Sequence, residues 1–557
     1  MSSEGTTARG TSRLLGASTV MAAGTVVSRL SGFVRSGLLA AALGLSLHGE
    51  LFTIANTIPN MLYILLAGGV FNAVLVPQLV RSMREDDDGG QAYADRVITA
   101  ATLFLLVVTV VLVIAAPLLL DLYLSDAYSS PSRALQRESI IDLTRYCLPQ
   151  VFFYGMFVLV GQVLNARGRF GPMMWAPIAN NIISMLVLVA YLLVYGPASG
   201  AELVGPYSSG QELLLGVGST IGIAVQFLIL IPYVRAAGFS FRPRFDLRGT
   251  GLGHTLRLGS WTVAFVVVNQ LAYLVLVRLA SSGVVGGGDG TGYTVYQNAF
   301  LVVMVPHSVV TVSLATAALP DLSASAAEGA LERVGTTLSS VLRTALVVVL
   351  PFAALLPLVA DPLARVLLHG ASGSEADIEA LALPLALFGP GVVLFSVHYL
   401  MLRGFYALEE TRTVFVNQCW VAATNVVVAI VLVRLTDPRH TAAALVGAYT
   451  AAYLVGSLLS ITVLRRRVGT LDGARLLRFC VRWLLATLLA TAAAAIVAAA
   501  LHTVWERPTW PIAILEGAVI GAVELGGLFL AARAMHVREV TALIDGVARR
   551  VRRTNAA

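Results

Sequence analysis

Fourteen apolar stretches, each long enough to cross a bilayer, succeed one another along this chain, and no other feature constrains its fold as much. A helix needs about 20 mostly apolar residues to cross the hydrocarbon core, where every backbone N–H and C=O must be bonded within the segment. The stretches fall at 15–45, 50–80, 93–122, 139–165, 172–196, 212–236, 251–281, 292–320, 338–369, 379–407, 413–434, 441–464, 476–502 and 510–534. Only short polar loops separate them. Charged residues make up 12% of the chain, against about a quarter in soluble domains. The sequence therefore predicts an all-α polytopic membrane protein with about fourteen transmembrane helices.

The loops orient these helices. All 38 basic residues are arginines, and 28 of them lie in alternate loops, from Arg9 and Arg13 to the six from Arg533 onward. The intervening loops hold five: Arg133, Arg137, Arg434, Arg439 and Arg507. This alternation follows the positive-inside rule and predicts that both termini are cytoplasmic. The first 20 residues lack the compact apolar core and small-residue cleavage site of a removable signal, so the first span is expected to insert uncleaved. The net charge of +7 follows loop order, which points to anionic membrane lipids and not to nucleic acid. The tail HVREVTALIDGVARRVRR, 536–553, alternates apolar and basic residues at helical spacing and is expected to lie on the anionic cytoplasmic leaflet. Cys147, Cys419 and Cys480 have neither disulfide nor metal-ligand spacing and read as small core hydrophobes.

An internal repeat divides the chain. GQVLNARGRFGPMMWAPIANNII, joining the fourth and fifth spans, is echoed by MLRGFYALEETRTVFVNQCWVAATNVV, joining the tenth and eleventh. Each has an Arg-bearing turn followed by a helix with an inward asparagine, Asn180 or Asn181 in one and Asn425 in the other. VPQL at 76–79 and LPDL at 319–322 give a weaker echo. An offset of six spans preserves direction, so the halves form a parallel repeat: an N-lobe over 1–238 and a C-lobe over 239–468. Helices thirteen and fourteen over 469–535 and the basic tail over 536–557 are appended. Two six-helix lobes that rock about a midplane site make a transporter arrangement.

Polar groups inside the spans locate that site. A guanidinium at the bilayer centre costs about 2.5–3.5 kcal/mol on insertion scales and faces a wet cavity or a partner. Arg29 and Arg35 stand inside the first span; at helical rise they are about 9 Å apart along the axis. Their long forks can converge on one extended anion, and arginine suits phosphate oxygens. The competing readings pair Arg29 with a carboxylate such as Glu50, or let either arginine snorkel to the interface. Arg278 lies near the outer end of the seventh span, while Arg145 and Arg365 lie near span ends and are expected to snorkel. In the second span Pro59 permits a kink, Gly68 and Gly69 permit bending or close packing, and Asn56, Asn60 and Asn72 add polar groups. Asn269, Gln270, Gln297, Asn298, His307 and Pro306 are candidate cavity or gating residues of spans seven and eight. No phosphate loop, paired catalytic carboxylates, nucleophile elbow or zinc site occurs, so the expectation is a transporter without cofactor or metal and not an enzyme.

SRLSGFVR, then IPNMLYILLAGGVFNAVLVPQL and later RGFYALEETRT, resemble the MurJ/MviN family of lipid II flippases, within the multidrug/oligosaccharidyl-lipid/polysaccharide exporter superfamily. The resemblance implies movement of the undecaprenyl-diphosphate-linked peptidoglycan precursor from inner to outer leaflet by alternating access, in the bacterial plasma membrane. It also implies that Arg29 and Arg35 hold the diphosphate, with Ser28, Phe33, Glu50 and Asn60 nearby. Many relatives carry further arginines where this chain has Tyr63 and an apolar run ending at Leu301, and an acid where it has Gly68; Arg278 is the candidate replacement. Sodium-binding relatives use acids in spans seven and eleven, where this chain has Asn269, Gln270, Asn417 and Asn425, so membrane potential is the expected driver. Helices thirteen and fourteen are expected to line a groove for the polyprenyl tail. Cell-wall synthesis proteins are further expected partners. The alternatives are a same-fold exporter of another lipid-linked saccharide or a drug, and a non-transporting cell-wall scaffold.

Overall fold

The computed structural model describes residues 24, 27–65, 82, 88, 90–169, 171–246, 252–285, 290–369, 374–505 and 508–535. Among them the regular structure is helical, and twelve helices are long and apolar enough to cross a membrane. They correspond to the third to fourteenth expected spans. The first two expected spans are described in part, as helices over 27–43 and Leu47–Tyr63. Gly68, Gly69, Asn72 and the 536–553 tail lie outside the described residues.

Local chemistry sets where the helices begin and end. Ser208 and Ser374 each form a capping box, with Gln211 and Asp377 respectively, at the starts of Ser209–Leu228 and Glu375–Ala407. Gly469, at φ 81°, ends Thr441–Val468 in a conformation that L side chains rarely adopt. Proline breaks two expected spans: Pro117 starts a separate helix, Ala116–Tyr123, after Gln91–Ile114, and Pro149 separates Ala134–Cys147 from Gln150–Ala166. The eighth span is also interrupted. It comprises Tyr293–Val303, a π-helical turn at His307–Thr311 just after Pro306, and Val312–Ala327. The second span shows the same device, with Pro59 followed by π-helical residues 64–65.

The chain divides into two compact units, Met1–Thr294 with Gly370–Ser372, and Val295–His369 with Gly373–Ala557. In the first, Tyr93, Leu105, Phe157, Leu159, Leu164 and Leu230 belong to one buried cluster that joins Gln91–Ile114, Gln150–Ala166 and Leu230–Ala236. Leu252–Ser282 belongs to this unit and packs against Ala116–Tyr123. In the second unit Leu331–Leu367 packs along Glu375–Ala407, and Gly473–Val504 and Trp510–Ala534 pack on each other and on Leu331–Leu367. Apolar side chains exposed along these helices, such as Leu193, Leu488, Ile496 and Leu525, face the solvent that lipid provides in a membrane protein.

Small residues set the helix spacing. A Cβ at Gly389 would lie 2.4 Å from the Ala353 carbonyl oxygen, a backbone atom that cannot swing aside. We predict that Gly389→Val separates these two helices and destabilises the protein by about 1–3 kcal/mol, the usual cost of overpacking. A lowered thermal midpoint for the detergent-solubilised protein checks it; a wild-type midpoint would show that the helices do not approach this closely.

Candidate functional site

The first helix is fixed by one asparagine. Asn181, on Gly171–Tyr195, donates from Nδ2 to the Ser28 carbonyl (3.1 Å) and to Ser31 Oγ (2.8 Å), and Ser31 Oγ donates back to the Ser28 carbonyl (3.0 Å). A Cβ at Gly32 would make only an ordinary contact with the asparagine, 3.8 Å from Nδ2. Ser28 is thus a half-buried anchoring residue, and its backbone is the contact.

This anchorage determines the directions of the arginines. At 100° per residue, Arg35 lies on the face of Ser28, Ser31 and Gly32, and Arg29 about 120° away. Arg35 is half-buried and within electrostatic reach of Tyr154, whereas Arg29 is exposed. Phe33 is half-buried. Among the described residues no carboxylate pairs with Arg29 or Arg35, whereas four other arginines of the unit pair with acids: Arg278 with Asp126, Arg137 with Asp121, Arg145 with Asp142 and Arg96 with Asp246.

Behind Arg35 lies a ladder between two helices. Gln150 donates to Asn56 Oδ1 (2.9 Å), and further along, one turn on from Gln150 and two from Asn56, Tyr63 stacks on Tyr154 with ring centroids 4.7 Å apart. The contacts occur in the same sequence order on Leu47–Tyr63 and Gln150–Ala166, so these helices run parallel. Asn60 is exposed on the face of Asn56 and Tyr63, and Pro59 is buried. Tyr63 thus occupies, as an aromatic platform, the position at which the sequence resemblance anticipates an arginine. Gln150 and Tyr154 were not singled out by the sequence, yet their spacing of four on an apolar helix is the signal that finds them.

Two expected site residues serve the scaffold. Glu50 is fully buried, and its oxygens accept from the backbone N–H groups of Tyr293 (2.6 Å) and Thr294 (2.7 Å), at the first turn of Tyr293–Val303. Its charge meets the positive end of a helix dipole and not Arg29. Gly292 makes room, since a Cβ there would lie 2.6 Å from Glu50 Oε1. Arg278 donates to the carbonyls of Asp121 and Leu124 (each 2.5 Å) and to Asp126 Oδ1 (2.7 Å), so its guanidinium ties down the 121–126 segment. Arg365 does not merely snorkel: it bridges Asp361 (2.7 Å) and Glu375 (2.8 Å). Arg145 likewise pairs with Asp142.

The remaining candidates are dispersed. Asn269 bonds its own helix at the Phe265 carbonyl (3.0 Å), and Gln270 Oε1 is buried with no hydrogen-bond partner among the described residues. In the second unit Asn298 and Pro306 are buried, and His307 Nδ1 meets Ser396 Oγ at 2.9 Å, its ring lying 4.4 Å from Phe395 and 5.0 Å from Tyr399. Arg403 covers the Tyr399 ring and bonds its hydroxyl. The RGFYALEETRT motif is architectural. Gly404 admits Leu338 and Leu464, Glu409 turns the chain at φ 59°, and Glu410 holds Arg467 (3.0 Å) and Thr413 (2.7 Å).

Comparisons with known proteins bear on this arrangement. Residues 39–515 match the family described as Lipid II flippase MurJ. The chain belongs to the MurJ family. A probable lipid II flippase MurJ of Rhizobium tropici is 26% identical over 445 residues, covering 79% of each chain. A solved structure of lipid II flippase MurJ in an inward closed conformation shares the fold at TM-score 0.68 and 18% identity, covering 93% of this chain and 99% of that one. An inward-facing multidrug resistance MATE transporter of the MOP superfamily is similar at TM-score 0.61 and 17% identity, covering 80% and 96%. Arg29 and Arg35 precede the matched residues and lie in the described first helix, with no acid partner among the described residues.

Glu50→Ala strands two buried N–H groups, each costing about 1–3 kcal/mol. The expected outcome is a clear fall in the denaturation midpoint of the purified protein, partly restored in Glu50→Gln, whose amide oxygen still accepts. An unchanged midpoint in Glu50→Ala would return Glu50 to a role in binding.

Proposed function

We propose that this protein moves the undecaprenyl-diphosphate-linked peptidoglycan precursor, lipid II, from the cytoplasmic to the outer leaflet of the bacterial plasma membrane by alternating access. The observation that carries this reading is the pair Arg29 and Arg35: two guanidiniums in the first membrane helix of a MurJ-family chain, with no carboxylate against them among the described residues. Retained acids would neutralise them and leave nothing to attract a diphosphate. Arg29, on the open face, makes first contact with the phosphates; Arg35, nearer Tyr154, takes the second contact. Asn60 is exposed for polar contact with the headgroup, and Ser28 and Phe33 hold the helix in register. Charge-assisted, forked hydrogen bonds to phosphate supply the recognition.

The same reading places both termini in the cytoplasm, makes the protein a transporter without a catalytic step, and takes the membrane potential as driver. Each elementary charge moved across 100 mV contributes about 2.3 kcal/mol. Cell-wall synthesis enzymes are the natural neighbours, since they consume the cargo.

Depletion and rescue tests this directly. In cells stripped of their own flippase, the wild-type gene is expected to restore growth, while Arg29→Ala and Arg35→Ala, present at equal membrane abundance, lower lipid II externalisation by about tenfold or more, as loss of a charged hydrogen bond of about 1.5–3 kcal/mol demands. Full rescue by both variants would overturn the assignment.

A further inference from the structure

Tyr63 and Tyr154 stack between Leu47–Tyr63 and Gln150–Ala166, with ring centroids 4.7 Å apart and planes 23° from parallel. Packing accounts for part of this arrangement, since Tyr63 lies against the buried cluster that contains Leu105 and Phe157. It does not account for the polar ends of the rings. Neither hydroxyl has a hydrogen-bond partner among the described residues, and both residues keep accessible surface. Elsewhere in the same unit Tyr191 accepts from Gln211 (3.0 Å), Tyr207 donates to the His48 carbonyl (2.5 Å) and Tyr273 meets Tyr293 (2.6 Å). A tyrosine hydroxyl withdrawn from bulk water ordinarily finds such a partner, so the two that lack one face water or a ligand.

The neighbours narrow the ligand. Asn60 is exposed one turn before Tyr63 on the same face, and Arg35 lies within electrostatic reach of Tyr154. A guanidinium that suits phosphate, an amide that donates and accepts, and an aromatic pair with unbonded hydroxyls are thus brought together in the first unit. The negative face of a tyrosine ring attracts the C–H bonds on one side of a sugar ring, while amide and phenol groups bond its hydroxyls. We propose that Tyr63, Tyr154 and Asn60 form a saccharide subsite beside Arg35, which holds the sugar attached to the cargo's diphosphate and selects a glycosylated lipid diphosphate over the bare one. The subsite rests on the reading of Arg29 and Arg35 as diphosphate ligands and adds a second requirement to it. Charge alone would hold any lipid diphosphate, with or without its saccharide.

The experiment measures the affinity of the full-length protein in nanodiscs for undecaprenyl diphosphate and for undecaprenyl diphosphate carrying one sugar, with undecaprenol as the uncharged reference. Wild type is expected to prefer the glycosylated diphosphate by about fivefold or more, the worth of one aromatic contact. Tyr63→Leu should bring the two diphosphates to near parity by weakening only the glycosylated one, and Tyr63→Phe, which keeps the ring, should retain the preference. Equal loss of both diphosphates in Tyr63→Leu would show that the stack only props the helices behind Arg35, and equal binding of both by wild type would show that no sugar is read; either result overturns the proposal. Should Tyr63→Leu fail to fold, Asn60→Ala at its exposed position carries the test: a reduced preference supports the subsite, and a preference unchanged from wild type overturns it. Wild-type binding of neither diphosphate above undecaprenol would instead overturn the diphosphate reading itself, and the subsite with it.

Discussion

The cost of placing a guanidinium in hydrocarbon, about 2.5–3.5 kcal/mol, organises the chemistry of this protein. Arginines near span ends meet that cost with acids or carbonyls: Arg278 on the 121–126 segment, Arg365 between Asp361 and Glu375, Arg145 on Asp142. Arg29 and Arg35 have no such acid among the described residues, although Glu50 sits on the neighbouring helix. Glu50 is held elsewhere by two backbone N–H groups, and the arginines are left for an anion that comes from outside the fold.

Rigidity supports that arrangement. Asn181 fixes the first helix at the Ser28 carbonyl and Ser31, the Asn56–Gln150 bond and Tyr63–Tyr154 stack join the helices behind Arg35, and Glu50 sets the start of the helix at Tyr293. Each is a short polar or aromatic contact in apolar surroundings, where packing alone leaves helices free to rotate and slide. Pro59 and Pro306 have the opposite character. Each precedes a π-helical turn, a local weakness in an otherwise continuous hydrogen-bond ladder and a natural place for a span to bend.

Much of this was legible in the sequence, because a bilayer enforces length and hydropathy so strictly that apolar windows nearly give the helices. Span interruptions were less legible: Pro117 and Pro149 divide windows that hydropathy reads as continuous. The arginines stood out because charge inside an apolar run is rare. What the sequence could not assign was their partners. The family resemblance put Glu50 near the site and made Arg278 the candidate replacement for missing arginines, yet Glu50 bonds backbone 243 and 244 residues away and Arg278 bonds carbonyls more than 150 residues away. Backbone acceptors and donors leave no signature in residue type. The same holds for RGFYALEETRT, whose polar residues serve a turn and an ion pair.

The central claim is that Arg29 and Arg35 remain without acids because a lipid diphosphate neutralises them. Its most direct test is the relative affinity of the purified protein for undecaprenyl diphosphate and uncharged undecaprenol, in wild type and in the Arg29→Gln, Arg35→Gln double variant. The account predicts at least about tenfold preference for the diphosphate in wild type, reduced to near parity in the double variant. A preference that survives loss of both guanidiniums would contradict it.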